Sequence, residues 1–222
     1  MFLENFFRFM GSLVCHQIQD RTLIIDGLPL PVCSRDTGIY LGVFAGIVFL
    51  GLKRKLDADW PPRLAHALVL IIMMVPMIID GATSYIGFRH TDNLTRLITG
   101  GFFGFQLAVF FTVARNYNPE GKNKIAPLNN LGELVIPVIL FVLFLGLVYK
   151  GQIWWVVVSL LLITGMTAMF YMIADSVVSL FELKIKKFRI VISIFCLFCI
   201  FGILFLLTRL VFLPISIVFG GL

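Results

Sequence analysis

The chain is predicted to be an all-α, polytopic transmembrane helical bundle of about six spans, preceded by a short N-terminal interfacial helix. Three observations lead there. Of 222 residues, 59% are hydrophobic and 23 are Phe. Charged residues make up only 14% and mean hydropathy is +1.00, whereas charged residues are about a quarter of a soluble domain. The apolar residues also gather into runs that, at about 1.5 Å rise per residue, suit a hydrocarbon layer of ~30 Å. A soluble enzyme is excluded. The chain reads as one integral membrane domain over 1–222, with a polar motif segment at 1–36 and the bundle at 37–222.

The start, MFLENFFRFMGSLVC, has an acid before its first base and no A-x-A-like site, so it reads as uncleaved. It is too short to span. Phe2, Phe6, Phe9, Met10 and Leu13 fall on one side of a helix lying in the interface. Six apolar runs follow, at 37–52, 64–86, 97–114, 133–149, 152–174 and 190–219. The last is too long for one perpendicular span and is interrupted by Arg209 and Pro214, which predicts a tilted helix with a kinked or interfacial tail. Trp154 and Trp155 fit an interfacial belt.

Basic residues orient the spans. The loops at 53–63, 115–132 and 175–189 carry Lys53, Arg54, Lys55, Arg63, Arg115, Lys122, Lys124, Lys184, Lys186, Lys187 and Arg189, eleven of the eighteen Lys and Arg. The opposite side has Arg8, Arg21, Arg35, Arg89, Arg96, Lys150 and Arg209. The richer side is expected to be cytoplasmic, which puts both termini outside a cell membrane. The net charge of +6 is then mostly a topology signal. With no nucleic-acid motif beside it, nucleic acid is not an expected partner, and membrane lipids are.

Ionisable residues at a membrane boundary are costly, so they suggest function. Two clusters share the predicted outer face. One is Cys15–Asp36, CHQIQDRTLIIDGLPLPVCSRD; the other runs from Met77 to Gly104 and contains Asp80, Arg89, His90, Asp92, Asn93 and Arg96. The first cluster, with Cys15, His16, Gln17, Arg21, Leu30, Pro31, Val32, Cys33, Arg35, Thr37, Gly38, Ile39, Tyr40 and Gly42, resembles the hallmark of an uncharacterised family of small polytopic prokaryotic membrane proteins, a domain of unknown function. A second block of that family resembles Asp80, Gly81, Asn93, Arg96, Thr99, Gly100 and Gly104. Gln19 stands where Pro is common in the family, and Asp36 where a second Cys is expected. The resemblance implies a polytopic membrane fold and no established activity.

Thiolate, imidazole and carboxylate are the usual ligands of zinc. Cys15, His16, Cys33 and His90 are therefore candidate metal ligands, with Asp36, Asp80 and Asp92 able to complete the set. The alternative is a Cys15–Cys33 disulfide, favoured in an oxidising compartment and disfavoured in a reducing one. Cys196 and Cys199, one turn apart in the last span, read as packing residues. Asp80, His16 and Asp36 are the candidate catalytic acids and bases. Asp80 lies within a turn of Pro76 and is expected either to act as a general base or to pin helices by pairing with Arg35 or Arg96. Arg21, Arg35, Asn93 and Arg96 are candidate substrate-binding residues, because guanidinium groups bind phosphate in bidentate fashion.

Gly38, Gly42 and Gly46 repeat every four residues in the first span, as do Gly100 and Gly104 in the third. Such faces let helices approach closely. They are expected to bring Arg35 and Asp36 near Arg96, or to support a homo-oligomer. Glu133, Asp175 and Glu182 sit at span ends, where solvated roles suffice. Three function classes follow: an interfacial enzyme acting on a lipid or isoprenoid-linked phosphate with a metal, zinc first, as cofactor; a transporter or channel using Asp80 and Arg96; or a non-catalytic protein stapled by Cys15–Cys33. The polar groups gather on one face and do not continue through the membrane, which favours the first.

Overall fold

The computed structural model describes residues 2–119, 121, 123–181, 186–207 and 210. Among them seven α-helices follow in order: α1 (Phe2–Ser12), α2 (Ser34–Leu52), α3 (Leu64–Tyr85), α4 (Asn93–Asn116), α5 (Val135–Tyr149), α6 (Trp155–Ser179) and α7 (Lys186–Leu207). Helices α2 to α7 supply the six expected spans, α5 reaching spanning length with the 3-10 turn Leu131–Leu134 before it. Two short strands, β1 (Ile24–Ile25) and β2 (Leu28–Pro29), form an antiparallel hairpin in the N-terminal motif. Glu120, Lys122, Glu182, Lys184, Arg209 and Pro214 lie outside the described residues, and with them the expected tail of the last span.

Helix α4 is central: α2, α3, α5 and α6 all pack on it, and α7 packs on α6. Lipid tails offer helices no hydrophobic drive to associate, so close backbone packing takes over. A Cβ on Gly38 or Gly42 would strike the carbonyl oxygens of Leu97 and Gly101. One on Gly100 or Gly104 would strike those of Arg35 and Ile39. Gly46 meets Ala108 and Phe105 in the same way, and Gly165 of α6 sits against the Tyr40 carbonyl on another side of α2. The glycine faces that sequence offered for self-association are thus filled within one chain.

The two ends of the bundle are tied separately. At one end Asn116 donates to the carbonyls of Leu56 and Ala58, and Asp59 accepts from the backbone of Lys124 and Ile125. Asp175, expected at a solvated helix boundary, is buried there instead. Its two oxygens accept from Arg189 Nε and Nη2, each at 2.8 Å, and Oδ1 also accepts from Ser193. Arg189 further donates to the Arg115 carbonyl, so α4, α6 and α7 are clamped together. Sequence position alone hid this because all three groups stand near span ends.

At the other end the N-terminal motif folds down as a cap. Asp26 and Gly27 both have positive φ (52° and 74°), the geometry of a tight hairpin turn for which Asp-Gly is a strong signal. That turn aims Asp26 at α6, where its carboxylate accepts from the Trp155 N–H at 2.9 Å. The indole of Trp155 donates to the Pro29 carbonyl and its ring meets Phe7 of α1. Trp154 is exposed, as an interfacial belt requires, but Trp155 is core. In α1 the exposed large apolar residues are Phe2, Leu3, Phe6 and Phe9, with Phe7 as the buried anchor.

Gly104→Val and Gly42→Val are expected to lower the melting temperature in detergent sharply, because each side chain would enter a facing backbone and overpacking costs about 1–3 kcal/mol or more. Gly146→Val, where nothing lies within 4 Å of the added Cβ, should leave it nearly unchanged. Equal effects at the three positions would show that α2 and α4 do not pack backbone to backbone.

Candidate functional site

Helix α2 begins at Ser34, three residues earlier than the apolar run suggests, because Cys33 is extended (ψ 162°) and the polar Ser34-Arg35-Asp36 already has helical geometry. The motif segment therefore stops at Cys33, and Arg35 and Asp36 belong to the first span. Cys33 at the N-cap and Asp36 three residues on share one helix face, and an acid in the first turn suits the positive end of a helix. Cys33 Sγ donates to Asp36 Oδ2 at 3.2 Å. Cys15, brought back by the loop after α1, accepts from the Cys33 N–H at 3.3 Å. Gln17, at positive φ, holds that loop by donating to the carbonyls of Arg8 and Pro31.

The result is a half-buried cluster in which Cys15, Cys33 and Asp36 each offer a ligand atom, all within 4.8 Å of one another. Both cysteines are free thiols in the structure. The Cys33 thiol is pushed well above the ordinary thiol range, first by its contact with Cys15, then by burial, then by the negative charge of Asp36. Of the other expected ligands, His16 is exposed beside the cluster, near enough for its charge to act on Asp36. His90 lies on the exposed loop between α3 and α4 and does not join the three convergent donors. Of the ligand candidates read from sequence, Cys15 and Cys33 converge, and Asp36, named as able to complete the set, converges with them. Asp92 caps α4 by accepting from the Thr95 N–H at 3.2 Å.

Next to this cluster is an ion network. Asp80, 3% exposed, accepts from Arg35 Nη2 at 2.6 Å. Of the two roles sequence left open for Asp80, pairing is the one the structure displays. Arg96 is 7% exposed and donates to Ser84 Oγ at 3.2 Å. The Nε atoms of Arg35 and Arg96 are both buried without a hydrogen-bond partner. Arg96 lies near the charges of Arg21, Arg35 and Asp80, two guanidiniums and a carboxylate. Asn93 is spent on structure, donating to the Asp20 carbonyl and tying the cap to α4. Arg21 is exposed, and its carbonyl accepts from Ser34 Oγ. Sequence reading passed over Ser84 and the Asp26–Trp155 tie and gave Gln17 no role beyond its place in the motif. Only the Asp-Gly turn carried a local signal for any of them.

A six-span helical bundle with a thiol–carboxylate cluster and an arginine network at one membrane boundary defines an integral membrane protein with a polar site at its face. Residues 15–110 match the family described as "Predicted membrane protein (DUF2085)". The chain is 37% identical over 114 residues to an uncharacterized protein of Methanocaldococcus jannaschii, covering 48% of this chain and 71% of that one. It is 36% identical over 105 residues to an uncharacterized protein of Methanothermobacter thermautotrophicus, covering 46% and 88%. The chain belongs to this family of membrane proteins. No solved structure matches it. The matched residues start at Cys15 and run through α2, α3 and most of α4, so they contain the cluster and the ion network together.

Asp80→Asn is expected to destabilise the protein more than Arg35→Gln. The first leaves Arg35 and Arg96 facing each other with their shared carboxylate gone, and breaking a buried pair costs about 3–5 kcal/mol. The second leaves Asp80 with the charge of Arg96 still near. Melting curves in detergent of both variants and of the double variant check this. A smaller loss in Asp80→Asn would show that the pair is solvated.

Proposed function

We propose that the chain is a metal-dependent enzyme of the membrane face that acts on a phosphate ester, with Cys15, Cys33 and Asp36 as the protein ligands of a zinc ion. The observation that carries this is the convergence of two thiols and a carboxylate within 4.8 Å. Tetrahedral zinc with Zn–S near ~2.3 Å wants its sulfurs ~3.8 Å apart, a distance this cluster reaches with small side-chain movements. Packed thiols and a carboxylate hold protons in the absence of a cation, and a divalent ion takes their place. Three protein ligands leave a fourth position for water, the pattern of catalytic rather than structural zinc. The balance of Lys and Arg favours the extracytoplasmic side for this face.

Bound zinc would supply an activated water. Hydrolysis forms a bond from the water oxygen to phosphorus and breaks the bond from phosphorus to the ester oxygen. The water proton leaves with the departing alcohol, and His16 is the candidate carrier of that proton. Arg35 and Arg96, with Asp80 holding the first in line, would take the phosphate oxygens. One competing reading has a specific observation behind it: the Cys33 N–H to Cys15 Sγ contact of 3.3 Å brings the two cysteines close enough for a structural disulfide to stay in view.

Elemental analysis of the detergent-purified chain, made without chelators or a His tag, is expected to show about one zinc per chain. Cys33→Ser and Asp36→Asn should lose most of it and His90→Ala none. Zinc-dependent phosphate release from phosphatidic acid in mixed micelles should fall with the metal. Metal-free protein whose intact mass is lower by the two hydrogens of a Cys15–Cys33 disulfide would overturn the proposal.

A further inference from the structure

A cleft of about 540 Å³ lies between α3 and α4, and its lining changes along its length. Ile72, Val75 and Ile79 wall the part within the spanning stretch of α3. Asp80, Arg89, Thr95 and Thr99 line the end nearer the loop. From Ile72 to Asp80 the helix axis advances ~12 Å at about 1.5 Å per residue. Ile72 and Ile79 are more than half exposed, and only 11% of the α3 spanning window is buried. In a membrane those side chains meet acyl chains, so the cleft opens sideways to lipid.

At the polar end the group left open is the carboxylate of Asp80. Its Oδ2 is taken by Arg35, while Oδ1 is buried with no hydrogen-bond partner among the described residues. The residue is 3% exposed, so bulk solvent does not serve that oxygen. The hydroxyl of Thr91, near enough to act on this carboxylate, is likewise buried and open. Thr99 offers no donor in exchange, because its hydroxyl donates to the Thr95 carbonyl of its own helix. A buried acceptor without a donor is costly, and a ligand that brings one removes the cost.

Charge decides which donor fits. Arg35 and Arg96 do not line the cleft, so an anion entering it meets an open carboxylate oxygen before any buried guanidinium. A cation finds the carboxylate already matched by Arg35 at 2.6 Å and a further guanidinium, Arg89, at the mouth. A neutral hydroxyl suffers neither repulsion. It can donate to Asp80 Oδ1 and accept from Thr91 at once, since a hydroxyl is both donor and acceptor. The aliphatic wall beside it calls for a chain on the same molecule.

We infer that the cleft between α3 and α4 is a lateral site for a neutral lipid alcohol, its hydroxyl on Asp80 Oδ1 and its chain along Ile72, Val75 and Ile79. The inference rests on the phosphate-ester reading above and names the alcohol that hydrolysis frees, of the diacylglycerol type. Such a product leaves directly into the bilayer without crossing water. A water molecule uses the open oxygen but gains nothing from the aliphatic wall, and an alkane uses the wall but leaves the oxygen unmatched.

The test is binding of dioctanoylglycerol and of its acetate ester to the full chain in detergent, read by native mass spectrometry. The acetate keeps the chains and has lost the hydroxyl donor. Dioctanoylglycerol should bind at least tenfold tighter than the acetate. Val75→Trp, at an exposed position on α3, fills the cleft and should abolish the binding. The comparison of the two ligands on the unaltered chain keeps the test decisive if Val75→Trp does not fold. Cys33→Ser should bind dioctanoylglycerol as wild type does while losing its metal. Equal binding of the alcohol and its acetate would overturn the inference and show that Thr91 closes on Asp80 instead. Undiminished binding by folded Val75→Trp would overturn it too. Zinc retained with no preference for the alcohol sinks the cleft alone. Preference for the alcohol with no zinc sinks the metal centre and leaves the cleft standing.

Discussion

The contact on which the rest of this structure depends is the backbone-to-backbone packing of α2 on α4. Gly38 and Gly42 let α2 lie against the carbonyls of Leu97 and Gly101, and Gly100 and Gly104 let α4 lie against those of Arg35 and Ile39. Inside a bilayer, apolar burial does not distinguish helix from lipid, so such contact selects the partner. It also sets the site. Arg35 and Asp36 stand one turn or less before Gly38, and Arg96 stands one turn before Gly100. Locking the glycines in register therefore puts three ionisable residues from two helices at one level of the bundle. Asp80 is added because α3 packs on the same central helix.

The N-terminal cap depends on that frame and closes it. Leu23, Ile25, Leu30 and Val32 are buried with Phe7, Trp155 and Val158 in one apolar cluster, so the motif is held as a folded lid and its cysteines are not on a loose tail. The Asp26–Trp155 bond fastens the lid to α6, and Asn93 fastens it to α4. Cys15 reaches Cys33 only because both ends of the intervening segment are tied. Gln17 secures the first end by bonding to Arg8 and Pro31.

Much of this was legible in the sequence for a simple reason: membrane spans are written in composition and length, which need no knowledge of packing. Six apolar runs gave six helices, and the glycine spacing forecast which two would touch most closely. The Asp80–Arg35 pair was one of the contacts the sequence offered; what escaped were other interactions between groups far apart in the chain. Trp155 and Trp154 look alike as neighbours in an interfacial belt, yet one is buried by a hairpin over a hundred residues away and the other is exposed. Asp175 looks like a helix-end acid until Arg189 folds back on it from α7. The placing of His90 is not legible either, since loop residues carry no periodicity from which a direction can be read. The start of α2 was misplaced because polar Ser34-Arg35-Asp36 breaks an apolar run without breaking a helix.

The two buried Asp–Arg pairs among the described residues differ in a way that separates structure from chemistry. Asp175 and Arg189 complete one another: both carboxylate oxygens accept, the guanidinium also serves a carbonyl, and Ser193 fills in. Nothing in that pair asks for a ligand. Asp80 and Arg35 meet through one nitrogen, with Oδ1 of Asp80, Nε of Arg35 and Nε of Arg96 buried and unmatched beside them. A pair kept only to pin helices gains by closing its hydrogen bonds, because each buried open donor costs about 1–3 kcal/mol. The family-matched stretch, residues 15–110, contains the open network and the thiol–carboxylate cluster together, whereas Asp175 and Arg189 of the closed pair lie outside the match. Buried polar groups left open close to a thiol–carboxylate cluster mark this as the end of the bundle where chemistry is to be sought.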